Sequence, residues 1–183
     1  ALNIPVTATL MGLGSFPAND PLFLGMLGMH GTYAANKAVN ACDVLIAVGM
    51  RFDDRVTGLV SAFAPNAKIV HIDIDPSSIG KNIPVHIPLV ADCRHTLCAL
   101  KGLIGQHLET KTVPYAHNPA WKNEVEKLRS ERPLFYSPGE EIKPQQVIET
   151  VQTIVKSMDR GEALITTEVG QNQMWTAQFY KFN

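Results

Sequence analysis

A chain of 183 residues and about 20 kDa, 45% hydrophobic and 18% charged, carries enough apolar side chain for a core, which excludes a disordered chain or a staple-dependent miniprotein. Sixteen Lys+Arg against seventeen Asp+Glu leave a formal charge of −1 with no basic run, so nucleic acid is disfavoured as a partner. The longest apolar stretches, such as Val44–Met50, fall well short of the roughly 20 residues that cross a bilayer, and the start carries no charged and apolar targeting pattern, so no membrane partner is expected.

Four apolar, β-branched runs have strand length: Pro5–Leu10, Val44–Gly49, Lys68–Asp75 and Pro88–Asp92. Their near-continuous hydrophobicity suits parallel strands covered on both faces. Between them the spacing predicts helices over Ala34–Cys42 and Cys93–Leu108, the second with Leu97, Leu100, Ile104 and Leu108 at three- and four-residue steps. The alternation is that of an open, doubly wound α/β sheet. After Leu108 the texture turns polar around Pro114. Asn118 is then placed to cap a helix that Pro119 opens, with Trp121, Val125 and Leu128 as its apolar stripe.

Pro133–Gly139 holds two prolines and a glycine and reads as a linker, so we place a domain boundary there. Beyond it Pro144 opens a helix whose apolar face is Val147, Ile148, Val151, Ile154, Val155 and Met158; a break at Gly161 leads into a strand at Ala163–Glu168, the start of a second β/α unit. The chain begins at Ala1 without Met and stops at Asn183 inside an aromatic run, so a fragment of something longer is expected. Cys42, Cys93 and Cys98 lack CxxC spacing and the six histidines are scattered, which points to reduced, structural thiols and no zinc site.

Ligands of open parallel sheets bind beyond the carboxyl ends of the strands. Those positions are polar here. Arg51-Phe52-Asp53-Asp54-Arg55-Val56-Thr57-Gly58 places four charges in five residues directly after an apolar run. One reading is a solvated loop whose charges pair with one another; the other is anion or phosphate contact by the arginines. Asp73 and Asp75 share a face at the tip of the next strand, where a carboxylate often meets ribose hydroxyls, although Asp75 before Pro76 is better read as a turn or cap. For Asp92 a cap on the following helix and a ligand contact stand level.

Gly25-Met26-Leu27-Gly28-Met29-His30-Gly31 is a glycine-spaced loop that lets backbone N–H groups approach a ligand, but it is not GxGxxG, and neither is Gly12-Leu13-Gly14. His30 alone reads as a structural histidine, and Met26 and Met29 as core filler. In Thr166-Thr167-Glu168-Val169-Gly170-Gln171-Asn172-Gln173-Met174-Trp175 a strand runs into a Gly-led turn and a helix, aiming backbone donors at an anion. Glu168 argues against a lone phosphate there unless a cation is shared. The plain alternative is a connection with Trp175 as a core anchor.

Five of these runs, Thr9–Gly14, Leu27–Gly31, Arg51–Gly58, His71–Asp75 and Val169–Trp175, resemble in order and spacing the catalytic subunits of acetohydroxyacid synthase, also called acetolactate synthase. The RFDDRVTG run separates that family from other thiamine-diphosphate enzymes. The resemblance implies a three-domain enzyme of which residues 1–115 are part of the central FAD-binding domain, 116–142 a helix and interdomain linker, and 143–183 the start of the thiamine-diphosphate-binding domain. It further implies decarboxylation of pyruvate and carboligation to a second 2-ketoacid in branched-chain amino-acid synthesis. The implied cofactors are FAD in a structural role, thiamine diphosphate, and Mg2+ whose ligands lie outside this chain. The fragment alone is expected to be inactive.

Carried over residue by residue, the resemblance gives His30, Gly31, Arg51, Asp73 and Asp92 to FAD and Val169, Gly170, Gln171 and Asn172 to thiamine diphosphate. It gives Arg55 to the carboxylate of the second ketoacid, and Met29 and Asp54 to the substrate channel. Asn172 departs from the pattern, standing where a histidine is common; its amide still donates to phosphate. A homo-oligomer, a regulatory subunit and a cytoplasmic or plastid location are further implications. The readings that compete are another FAD-containing thiamine-diphosphate carboligase, a non-catalytic FAD-binding module, and a nicotinamide-dependent dehydrogenase, against which the missing GxGxxG weighs.

Overall fold

Parallel pairing of short apolar strands, each separated by a helix or a long turn, organises the chain. The computed structural model describes residues 2–110, 118–158 and 163–182. In chain order the elements are β1 (Val6–Ala8), β2 (Phe23–Met26), α1 (Tyr33–Ala41), β3 (Val44–Val48), α2 (Asp54–Thr57), β4 (Lys68–Asp73), β5 (Ile87–Val90), α3 (Cys93–Thr110), α4 (Pro119–Glu131), α5 (Pro144–Ser157) and α6 (Gln171–Phe179). The expected class, α/β with parallel sheets, is the one observed. Contacts gather the chain into two units, one joining Asn3–Asn36 to the segment from Val125 onward and the other spanning Lys37–Glu124.

In the first unit β1 and β2 pair in parallel, with a register slip between Val6 and Ala8. Opposite the slip Gly25 takes φ +91°, a conformation that favours glycine, and its carbonyl accepts the Thr7 hydroxyl at 2.8 Å. Leu24, Met26, Leu27, Ala34 and Ala35 are buried there. Helices α5 and α6 pack together; the buried Gln152 amide donates to the Lys181 carbonyl at 2.8 Å, and Tyr136 meets Phe179 edge-on. Pro144 opens α5 as expected, but Val147, Val151, Ile154 and Met158 of its apolar face are exposed.

The second unit is a three-stranded parallel sheet in the order β3-β4-β5, backed by α3. Its core is Ala47, Phe52, Phe63, Ala64, Ala67, Ile69, Ile72 and Ile83. Only the central strand has the burial expected of all of them. Val44, Ile46 and Val48 of β3 and Ile87 and Val90 of β5 are exposed, so double coverage holds for β4 and not for its two neighbours. Asn118 caps α4 through a 3.1 Å bond from the Trp121 amide; Val125 and Leu128 of the same helix, which belong to the first unit, are buried.

Other expectations are corrected. The run Pro5–Leu10 is a three-residue strand followed by a 3-10 turn at Leu10–Gly12, because the Gly12 amide bonds back to the Thr9 carbonyl instead of extending the ladder. Residues 163–168 form no ladder among the described residues, and with Leu164 94% exposed no buried face holds them as a strand. Trp175 is half-buried, and Thr176, Ala177 and Phe179 anchor α6. Met29, read as core filler, is exposed, whereas Met26 is buried. No helix or strand forms over the expected linker Pro133–Gly139. The polar stretch around Pro114, the boundary at 115 and the break at Gly161 lie outside the described residues.

Candidate functional site

Because β3, β4 and β5 run parallel, their carboxyl ends lie on one edge of the second unit, and the polar residues that follow each strand collect there. Beyond β3, Gly49 has φ +61° and its amide still bonds to the Ile72 carbonyl at 2.8 Å, so the ladder ends in a turn that sends the chain outward. Arg51 follows, with its side chain 74% exposed and paired to Asp53 at 2.8 Å. Arg55 and Asp54 approach at 3.9 Å, both more exposed still. The charges pair with one another, as the solvated-loop reading expects. Exposed pairs of this kind contribute at most about 1 kcal/mol, so either guanidinium is free to exchange its partner for a ligand anion.

Beyond β4, the buried Asp73 accepts the Asp75 amide through Oδ1 at 2.9 Å, and its Oδ2 lies 4.0 Å from His71 Nε2. Asp75 takes the turn role. Its carboxylate accepts the Ser77 amide and hydroxyl, both at 2.9 Å, and these bonds, the hydroxyl first, hold its pKa below the ordinary 3.8. Beyond β5, Asp92 caps α3 by accepting the His95 amide through Oδ1 at 2.9 Å, a bond that does not engage Oδ2. The Cys93 thiol lies 3.8 Å from the Ile72 carbonyl, and its pKa is pushed up by partial burial and then by Asp73 and Asp92.

The backbone between Gly49 and Asp53 is held by side chains distant in sequence. His71 Nε2 lies 2.8 Å from the Met50 carbonyl, and the Asn82 amide donates to the carbonyls of Arg51 at 3.0 Å and Phe52 at 3.1 Å. Asn82 had no signal in the sequence, since it acts across 30 residues of chain.

In the first unit the loop after β2 turns tightly. The Gly31 amide bonds to the Gly28 carbonyl at 2.9 Å, and Asn36 of α1 both accepts the Gly28 amide at 3.1 Å and donates to its carbonyl at 3.0 Å. This fixes the loop while Met29 and His30 point to solvent, with the His30 carbonyl accepting the Gln178 amide at 2.8 Å. Among the described residues Gly170 leads α6 without a side-chain cap, a start that suits an anion at first-turn amides other than that of Gln173. Asn172 Oδ1 accepts the Gln173 amide at 2.7 Å. A cleft of about 270 Å³ in this unit, lined by Phe23, Thr32, Arg129, Arg132 and Tyr180 among others, includes none of the residues expected at a cofactor.

Residues 1–100 match the family described as thiamine pyrophosphate enzyme, central domain. The chain belongs to this family. Its relatives agree over nearly the full chain. It is 52% identical over 180 residues to acetolactate synthase 1, chloroplastic, of Oryza sativa subsp. japonica, covering 98% of this chain and 27% of that protein. It is 46% identical over 184 residues to the acetolactate synthase isozyme 3 large subunit of Escherichia coli, covering 100% of this chain and 31% of that one. Against the probable acetolactate synthase large subunit of Methanocaldococcus jannaschii it is 46% identical over 184 residues, covering 98% and 30%. The chain thus spans less than a third of the length of these relatives.

For a thiamine pyrophosphate enzyme central domain, strand tips bearing exposed arginines and engaged carboxylates are a chemically suitable place for a nucleotide. The uncapped, Gly-led start of α6 likewise suits a diphosphate. No helix among the described residues is long and apolar enough to cross a membrane.

Proposed function

We propose that this chain is part of an acetolactate synthase catalytic subunit, which decarboxylates pyruvate and joins the remaining two-carbon unit to a second 2-ketoacid, pyruvate or 2-ketobutyrate. The observation that carries the reading is identity of 46–52% to acetolactate synthases in alignments that cover 98–100% of the chain. When bound, thiamine diphosphate supplies the carbon nucleophile for such chemistry.

The chain's own residues then have distinct tasks. Arg51, freed from its exposed pair with Asp53, neutralises the pyrophosphate-bearing part of FAD. Asp73 and Asp92 accept hydrogen bonds from the adenosine half with the oxygens their backbone bonds leave over, and His30 and Gly31 line the flavin. Arg55 presents its guanidinium fork to the acceptor carboxylate, and Met29 and Asp54 flank the route to it. Val169, Gly170, Gln171 and Asn172 meet the diphosphate of the thiamine cofactor, with magnesium held by residues of the parent outside this chain. We place the central FAD-binding domain at 1–115, the linker at 116–142 and the start of the thiamine-diphosphate domain at 143–183.

The parent is taken to be a homo-oligomer with a regulatory subunit, in keeping with the Escherichia coli relative being named a large subunit, and to work in the cytoplasm or, as the rice relative's name says of that protein, in the chloroplast. The test is the full-length protein supplied with FAD, thiamine diphosphate and magnesium. Pyruvate consumed with release of carbon dioxide and formation of acetolactate supports the reading. Flavin bound without carboligation supports a non-catalytic flavin module, and a different ligation product a sister carboligase.

A further inference from the structure

Three consecutive carbonyls, those of Met50, Arg51 and Phe52, are each gripped by a side chain from another part of the second unit. His71 Nε2 reaches Met50 at 2.8 Å; because a carbonyl only accepts, Nε2 carries the hydrogen. Asn82 holds the other two at 3.0 and 3.1 Å. Phe52 stands at φ +56°, which is rare for a bulky residue, and is 3% exposed, its ring meeting His71 edge-on at 5.0 Å and Phe63 at 5.9 Å. Backbone in such a region persists only where its surroundings over-determine it. His71 is fully buried, and among the described residues its Nδ1 has no partner, so a desolvated polar atom accompanies the Nε2 grip on Met50. The Arg51 side chain itself projects from the held backbone, 74% exposed.

We infer that His71 is a positioning residue: with Phe52 and Asn82 it clamps the turn after β3 so that Arg51 is presented, preorganised, to the flavin nucleotide. The inference rests on the reading that Arg51 contacts FAD, and the test separates the two.

In the full-length protein stripped of flavin, tryptic cleavage of the Arg51–Phe52 bond is timed by mass spectrometry, and FAD affinity is then titrated by flavin fluorescence. His71→Leu removes the donor to the Met50 carbonyl and is expected to raise both the cleavage rate and the FAD Kd about tenfold, and Asn82→Ala to move both the same way. His71→Gln, whose amide nitrogen reaches the position of Nε2, keeps both within about threefold of native. In an Arg51→Ala background, His71→Leu adds nothing to the Kd, whereas Ile69→Val, a core change on β4 away from the turn, lowers the unfolding midpoint and moves neither readout.

Native cleavage and native affinity in His71→Leu, equal defects in the Leu and Gln variants, or additivity with Arg51→Ala would each overturn the clamp. If Arg51→Ala itself binds FAD like the native protein, the flavin reading of Arg51 fails instead, and cleavage alone decides the clamp.

Discussion

A side-chain carbon built on Gly31 lands on the main-chain oxygen of Met26, and within 2.7 Å of the Leu27 carbonyl carbon and 2.9 Å of the Gly28 nitrogen. All three are backbone atoms, at the end of β2 and in the loop that also carries Met29 and His30, so no flexible side chain is available to move aside. Gly31→Ala is therefore expected to destabilise the full-length protein by about 1–3 kcal/mol, the usual range for overpacking, and to weaken flavin retention by displacing His30. Gly102→Ala, at an interior position of α3 with nothing among the described residues near its Cβ, is expected to stabilise by about 0.5–1 kcal/mol. Urea unfolding of the two variants checks both signs; equal effects would show that the crowding at Gly31 is relieved without strain.

Asp75 makes stability depend on pH. Its folded pKa is depressed by the Ser77 bonds, so its contribution is present above the ordinary value of 3.8 and is lost as pH falls through the folded value. The unfolding midpoint of the native protein should exceed that of Asp75→Ala by a constant margin at and above about pH 5, and the margin should shrink once the pH drops below 3.8. A margin that persists unchanged into strong acid would mean that the protonated carboxyl serves the turn equally well.

Much of the second unit was legible because its signals are local. The Asn118-Pro119 pair set the start of α4, Asp92 the start of α3, and Asp75-Pro76 the turn after β4, each through a bond spanning two or three residues. β2 was missed because Phe23-Leu24-Gly25-Met26 contains no β-branched residue, and its strand character comes from pairing with β1 across a glycine-bearing irregularity. At 163–168 the reverse held: the composition suits a strand, but no described segment pairs with it. The strand-end placement of Arg51, Arg55, Asp73 and Asp92 was legible from the apolar runs that precede them. Asn82 and the role of His71 were not, since a grip on backbone from 21 to 31 residues away leaves no periodic trace.

Arg51 exposes a cation whose sole ion-pair partner among the described residues, Asp53, is itself about half exposed. Arg51→Ala is expected to weaken FAD at least tenfold, in keeping with loss of a charge-assisted bond, while changing the unfolding free energy by less than about 1 kcal/mol. Asp53→Ala, which releases the guanidinium, is expected to retain FAD. The ratio of flavin to protein absorbance after gel filtration reads both variants, and a full flavin complement in Arg51→Ala would remove Arg51 from the site.

Arg55 sits in α2 beside Asp54 at 3.9 Å, a separation too long for a firm hydrogen bond, with 75% of its side chain open to solvent. A guanidinium held so loosely offers its two parallel donors to a carboxylate without first breaking a strong contact. Arg55→Ala in the full-length enzyme is therefore expected to raise the KM for the acceptor ketoacid about tenfold or more, while release of carbon dioxide from the first pyruvate continues. Arg55→Lys keeps the charge but loses the fork, and should recover only part of the acceptor affinity. Separate assays of carbon dioxide release and of ligated product distinguish these effects, and unchanged acetolactate kinetics in Arg55→Ala would place acceptor recognition elsewhere.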